Sequence, residues 1–137
     1  MVTKEQLIEA AWKARENAYT PYSKFMVGAA VLGVDGKVYT GCNIENASYT
    51  PTVCAERSAF FKAIYDGVRD FQAIAVVGGK NGVISGYFPP CGVCRQVMLE
   101  FCGPDFMIYM GKQDGTYHAA RPPDFMPYGF RASEYMK

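Results

Sequence analysis

Apolar positions along the 137-residue chain recur with two different periods, and the changes of period divide it into elements. Thr3 and Gln6 have the form of a capping box, and Leu7, Ile8, Ala11, Trp12, Ala18 and Tyr19 follow at near-helical spacing, which predicts a first helix from about Lys4 to Tyr19. Pro21 stops it. Val27 to Val34 is an apolar run with Gly28 inside, joined by Asp35-Gly36 to a second extended segment, Lys37 to Cys42, so a hairpin with a type I′ turn is expected. Residues 43–53 are polar and irregular. Cys54 to Asp66 then reads as a helix closed by Gly67, and Phe71 to Val77 as a buried strand. Gly78, Gly79, Asn81, Gly82, Ser85, Gly86 and Pro89 mark a loop ending at Pro90, ahead of a helical run from Cys91 to about Cys102. Gly103-Pro104 terminates that helix, Phe106 to Gly111 is a further strand, and Asp114-Gly115 turns the chain into a short segment, Thr116 to Ala120.

This order predicts an α/β protein with one mixed sheet covered by helices, because each strand–helix–strand crossover favours a parallel pair with a right-handed connection. No repeat, low-complexity tract or linker interrupts it, and residues 1–137 read as one domain. The formal charge is +1 and the 14 Lys and Arg are scattered, so no nucleic-acid-binding stripe exists and small uncharged substrates fit better. No apolar run approaches the length of a bilayer span, and acids and bases are mixed into residues 1–18, so neither a membrane helix nor a secretory signal is expected and a cytoplasmic location is. In that setting, 5 cysteines are metal ligands, redox groups or buried thiols rather than a disulfide framework.

Two short motifs carry the chemistry. Cys54-Ala55-Glu56 and Pro90-Cys91-Gly92-Val93-Cys94 together supply three thiolates and one uncommitted carboxylate. A structural zinc usually has four protein ligands, whereas a catalytic one keeps a position open, so this set favours a catalytic zinc. Both motifs fall at predicted helix starts, where thiol pKa values are lowered, and Cys91 and Cys94 at i and i+3 face one side of the first turn. Cys54 and Glu56 can serve one site only if Cys54 begins its helix. Taken alone, Cys91-Gly92-Val93-Cys94 leaves three readings open: half of a structural zinc site, a redox-active dithiol, or a catalytic zinc half-site. A second CxxC is absent, and Cys102 lies roughly 12 Å along the helix from Cys94, too far to join the same metal. Cys42 reads as a small buried hydrophobe, with a role as fourth ligand left open. His118 is the sole histidine and has no nucleophile motif nearby, which removes Ser-His-Asp and Cys-His hydrolases, and neither GxGxxG nor GxxxxGK[ST] occurs.

These motifs form the three-cysteine version of the zinc deaminase signature. With Tyr22-Ser23-Lys24-Phe25, Val27-Gly28-Ala29-Ala30, Gly41 to Tyr49, Cys54 to Arg57 and Pro90 to Gln96, the sequence resembles the small homotetrameric cytidine deaminases over nearly its whole length. The resemblance implies a three-layer α/β/α fold with a mixed five-stranded sheet. It implies one Zn²⁺ per subunit held by Cys54, Cys91 and Cys94, Glu56 as proton shuttle, and Arg57 donating to a thiolate. Phe25, Asn43, Glu45 and Ala55 become substrate-binding residues, with Asn43 and Glu45 at the sugar hydroxyls, and Tyr49 and Phe130 complete sites across subunit interfaces. The implied reaction is hydrolytic deamination of cytidine and 2′-deoxycytidine in pyrimidine salvage, on free nucleosides, without nucleic-acid or membrane partners.

Met26, Ser58 and Pro89 depart from the family's usual Pro, Thr and Ser, and Phe125 and Met126 replace leucines in the tail segment Asp124 to Phe130. None touches an expected ligand. An aminonucleoside-antibiotic deaminase shares the zinc motifs, but the Asn43 to Tyr49 block favours cytidine. A thiol–disulfide oxidoreductase would leave Cys54, Glu56, Asn43 and Glu45 without a role, and a zinc-stabilised binding module predicts four protein ligands.

Overall fold

A computed structural model describes residues 1–80, 86–112 and 114–135. The first helix, α1 (Lys4–Ala14), starts from the expected capping box: the Thr3 hydroxyl accepts the Gln6 N–H at 3.1 Å, and the Gln6 side chain accepts the Thr3 N–H at 2.9 Å. It is shorter than its pattern predicts. Arg15–Asn17 tighten into a 3₁₀ turn, and Tyr19 leaves the helix because its N–H bonds the Asn43 carbonyl at 3.0 Å and its carbonyl accepts the Glu45 N–H at 2.9 Å.

Strands β1 (Phe25–Gly33) and β2 (Val38–Cys42) form the predicted hairpin with a different turn. Type I′ geometry needs two residues at positive φ, and here only Gly36 adopts it, at 83°, while the Gly36 N–H bonds the Gly33 carbonyl and the Gly33 N–H bonds the Lys37 carbonyl, both at 3.0 Å. The connection is therefore a longer loop, a turn followed by a left-handed glycine. After the irregular segment come α2 (Ala55–Tyr65), β3 (Phe71–Lys80), α3 (Gly92–Phe101), β4 (Met107–Gly111) and β5 (Tyr117–Ala120). Strand β3 runs past the predicted end because Gly78, Gly79 and Lys80 pair with Val27, Met26 and Phe25 of β1, and ladder hydrogen bonds override the weak strand preference of glycine. The other residues assigned to that loop, Asn81, Gly82 and Ser85, lie outside the described residues, while Gly86 and Pro89 fall in the irregular stretch before α3. Two short tail helices, α4 (Pro122–Phe125) and α5 (Ala132–Tyr135), were not anticipated by periodicity, since four residues cannot display it.

The sheet order is β2-β1-β3-β4-β5, with β3 and β4 parallel and the other neighbours antiparallel. The crossover through α3 joins adjacent parallel strands, whereas the one through α2 joins two parallel strands with β1 between them. Alternation along the strands makes two cores. Ala29, Val31, Ile74, Val76 and Ile108 face α2 and α3, around a fully buried Phe60 that meets Phe71 edge-on at 5.1 Å. Ala30, Leu32, Ala73, Ala75 and Val77 face Leu7, Ile8 and Ala11 of α1. The result is the expected α/β/α arrangement, each large apolar side chain so buried contributing about 1.5–3 kcal/mol.

Close approach of α2 to the sheet fixes where the site forms. A Cβ at Gly41 would lie 2.5 Å from the Ala59 nitrogen and 2.6 Å from the Ala55 carbonyl oxygen, so glycine in β2 lets the first turn of α2 rest on the strand. Side chains of α3 hold the tail: Arg95 donates to the Phe125 carbonyl at 3.2 Å, Gln96 to that of Phe130 at 2.9 Å, and Arg131 from the tail to that of Leu99 at 2.9 Å. Among the described residues no helix is long and apolar enough to cross a membrane.

Candidate active site

Cys54 is the N-cap of α2 and Cys91 the N-cap of α3, with Cys94 in the first turn of α3. Neither cap uses its side chain to bond a helix N–H, so the sulfurs are available to something else, at two positively polarised helix ends. The sulfur atoms of Cys54, Cys91 and Cys94 all lie within 4.8 Å of one another, and the Cys54–Cys91 and Cys91–Cys94 separations are both 3.5 Å. Two sulfurs bound at 2.3 Å to a tetrahedral zinc sit about 3.8 Å apart, so the trio fits that ion with little adjustment. Among the described residues Cys42 does not join this group, and Cys102 is buried elsewhere at the end of α3.

Arg57, one turn along α2, donates from Nη2 to the Cys54 sulfur at 3.4 Å. Hydrogen bonds from the Cys94 thiol first, then from Arg57 and Cys91, hold the Cys54 thiol down at about 5. Cys94 moves the other way, because it gives its proton toward Cys54 and is buried. The proton shared between these sulfurs is one that metal binding would displace, since the ligands of a bound zinc are thiolates.

Glu56 stands beside the sulfurs on the first turn of α2. It is only 1% exposed, and neither carboxylate oxygen has a hydrogen-bond partner. Burial pushes its carboxyl up to about 7, with the negative Cys54 sulfur adding to the shift. A buried carboxylate without a donor costs stability, so a fold that keeps one has a use for it beyond packing.

The carboxylate opens on a cavity of about 130 Å³ with mainly apolar walls: Phe25, Val27, Ala55 and Phe88, together with Ser23, Asn43, Cys54 and Cys91. Asn43 is held flat against β1, its Oδ1 accepting the Val27 N–H at 2.9 Å and its Nδ2 donating to the Phe25 carbonyl at 2.7 Å. An amide has two N–H groups, so one donor remains for a ligand. Glu45 lines an adjoining hollow with Tyr22, Asn46, Tyr49 and Thr52, and Ser23 borders both spaces. One Glu45 oxygen accepts the Tyr22 and Ser23 N–H groups at 3.0 and 3.1 Å, and the other accepts the Ser23 hydroxyl. The Ser23 hydroxyl, followed by those backbone donors, holds the Glu45 carboxyl below its usual range.

Of the residues singled out from sequence, Cys54, Ala55, Glu56, Cys91, Phe25 and Asn43 meet at one cavity, Cys94 and Arg57 adjoin it through the sulfurs, and Glu45 lies next door. Tyr49 is 77% exposed with φ at 63°, and Phe130 is 55% exposed beside α3, so neither closes over Glu56 within this chain. His118 is exposed and stacks on Tyr87 at 3.7 Å. Sequence reasoning assigned no role to Ser23, Val27 or Phe88. Ser23 stood inside a recognisable block, but Phe88 lay in a Gly- and Pro-rich run where nothing pointed to a wall.

The sequence pattern of the cytidine and deoxycytidylate deaminase zinc-binding region matches residues 1–110. The chain belongs to that family. It is 51% identical over 126 residues to a cytidine deaminase of Sporosarcina psychrophila, covering 92% of this chain and 90% of the relative. With a cytidine deaminase of Halalkalibacterium halodurans it shares 48% identity over 131 residues, 96% of either chain. The crystal structure of cytidine deaminase from Burkholderia pseudomallei superposes with a TM-score of 0.86 at 47% identity, over 94% of this chain and all (100%) of that one. The family's zinc-binding region thus contains both cysteine motifs, and the metal it implies matches the sulfur geometry found independently.

Proposed function

We propose that this protein hydrolyses cytidine and 2′-deoxycytidine to the corresponding uridine nucleosides and ammonia, in pyrimidine salvage, as one domain spanning residues 1–137. The observation that carries the reading is the Glu56 carboxylate, buried and without a hydrogen-bond partner, beside three sulfurs spaced for one metal ion. Cys54, Cys91 and Cys94 hold the zinc, which when bound supplies Lewis acidity that makes water a nucleophile near neutral pH. The pyrimidine ring occupies the 130 Å³ cavity against Phe25, with its amino-bearing edge toward Glu56. Glu56 would take a proton from water as the water oxygen bonds C4 and deliver it to ring N3, then take the proton of the new C4 hydroxyl and pass it to the amine nitrogen as the C4–N bond breaks and ammonia leaves, a shuttle its place in the cavity wall beside the sulfurs allows. The free Asn43 N–H and the Glu45 carboxylate bind sugar hydroxyls, and a carboxylate there disfavours a phosphodiester, so the substrate is a free nucleoside.

We assign the protein to the cytoplasm and to a homotetramer. Tyr49, Tyr128 and Phe130 support the assembly, being exposed aromatics that an isolated subunit leaves in water. Tyr49 and Phe130 would complete a neighbour's site, and sedimentation as a monomer would overturn that assignment. The function itself is tested by following cytidine-to-uridine conversion before chelation, after chelation and after zinc is restored. Turnover lost and regained with zinc is expected. Turnover that persists in verified zinc-free protein would refute the metal's role, and none in zinc-loaded protein would refute the substrate.

A further inference from the structure

We propose that Phe88 is a specificity-determining wall of the nucleobase cavity, setting with Phe25 how much bulk on the pyrimidine ring the site admits; this rests on the deaminase reading above. The two rings meet at a centroid distance of 5.1 Å with their planes 38° apart, and both line the cavity into which Glu56 opens. They come from different parts of the chain. Phe25 begins β1, while Phe88 stands three residues before Cys91 and is tied to it by Pro89 and the fully buried Pro90. Proline fixes φ, and the Pro90 carbonyl accepts from Arg95 Nε at 2.7 Å, so the Phe88 ring is held in register with the sulfur-bearing turn of α3.

The floor beneath the pair has a gap of its own. A Cβ at Gly78 in β3 would lie 3.1 Å from Phe88 Cγ, 3.1 Å from Val27 Cγ2 and 3.3 Å from Phe25 Cε1, and all three atoms belong to residues that line the cavity. The absence of one carbon in β3 therefore sets how deeply the aromatic pair sits. Two changes of opposite sign follow: trimming Phe88 widens the space offered to the base, and adding a methyl at Gly78 lifts the walls into it. With walls so largely apolar, clearance rather than hydrogen bonding decides whether an added methyl is accepted, and an apolar pocket discriminates one such group by roughly 10–200-fold.

The test is the ratio of kcat/KM for 5-methylcytidine to that for cytidine, measured by competition in zinc-loaded wild type, Phe88→Ala, Phe88→Leu and Gly78→Ala. Competition cancels the concentration of active enzyme, so a loss of folded protein does not move the ratio. The expected result is a rise of about tenfold or more in Phe88→Ala, a smaller rise in Phe88→Leu and a fall in Gly78→Ala, on the scale set by one methyl group in an apolar pocket. If Phe88→Ala does not fold, Phe88→Leu decides. Wild-type turnover of cytidine with a ratio unchanged in the Phe88 variants would overturn this assignment while leaving the deaminase reading intact. No wild-type turnover of cytidine would overturn both.

Discussion

Replacing Glu56 by glutamine separates chemistry from folding, because the side chain is deeply buried yet no other residue bonds it. No other residue donates to its two carboxylate oxygens, so Glu56→Gln strands no partner, and it swaps one buried group for another of nearly equal shape that has no ionised form to desolvate. Folding stability should therefore not fall. Zinc content should also hold, since the sulfurs of Cys54, Cys91 and Cys94 are left in place. Activity is another matter: an amide cannot carry a proton from water to the ring and on to the amine, and loss of positioned acid–base catalysis costs about 10²–10⁴ in rate. That corresponds to roughly 3–5 kcal/mol of transition-state stabilisation removed at constant fold. The assay combines steady-state kinetics on cytidine, metal analysis and urea unfolding of the same preparation. A variant that keeps full zinc and more than a tenth of wild-type kcat would refute the proton-shuttle role, and one that loses stability by several kcal/mol would refute the claim that Glu56 is idle in the fold.

Asn43→Ala should behave in the opposite sense, since it strands the Val27 N–H and the Phe25 carbonyl; a stability loss of about 1–3 kcal/mol for each bond is expected in urea unfolding, and an unchanged midpoint would count against those bonds. The Ser23 hydroxyl is the main cause of the depressed Glu45 carboxyl, so Glu45 keeps its charge, and its hold on the sugar, as pH falls until the lowered pKa is reached. In Ser23→Ala the rise of KM on the acid side should begin at higher pH than in wild type, and superimposable profiles would contradict the assignment. Burial pushes the Cys102 thiol up to about 12, so iodoacetamide at pH 8.5 should leave Cys102 unmodified in native protein and modify it after unfolding, as read by peptide mass mapping.

Most of the architecture was legible because it depends on periodicity. The capping box at Thr3, the apolar runs that became β1 and β3, and the helices behind Cys54 and Cys91 all follow from patterns a few residues wide. What the sequence could not supply was competition between distant partners. Tyr19 fits the helical spacing of α1, but its backbone groups are claimed by Asn43 and Glu45, and the glycines at 78 and 79 signal a loop until β1 offers them a ladder. Asp35-Gly36 suggested two positive φ values, yet only glycine adopts one, while Asp35 spends its carboxylate on the Lys37 N–H at 3.1 Å and the Tyr39 hydroxyl at 2.9 Å. At the site the same division holds. Ligand types and spacing are local and were readable, whereas the absence of any partner for Glu56 and the wall made by Phe88 exist only once separate segments have met.

The sulfurs at the starts of α2 and α3 also bear on stability. Cys54 and Cys91 approach to 3.5 Å, and Arg57, which donates to the Cys54 sulfur from Nη2, has its buried Nε without a partner among the described residues. Cys54, Cys91 and Cys94, if they hold zinc together, would tie the start of α2 to the start of α3. Because the spacing exists only in the folded chain, zinc should bind the native state far better than the unfolded one, and stabilise it by RT ln(1 + [Zn]/Kd), about 2.7 kcal/mol at a hundredfold excess over Kd. For a domain of this size that amounts to a rise in Tm of several degrees. Melting the chelated protein against the zinc-loaded one checks this without reference to turnover. Equal melting temperatures, with zinc shown to be bound, would mean that the unfolded chain holds the metal as tightly as the folded one, and the sulfur geometry would then lose its standing as a preformed site.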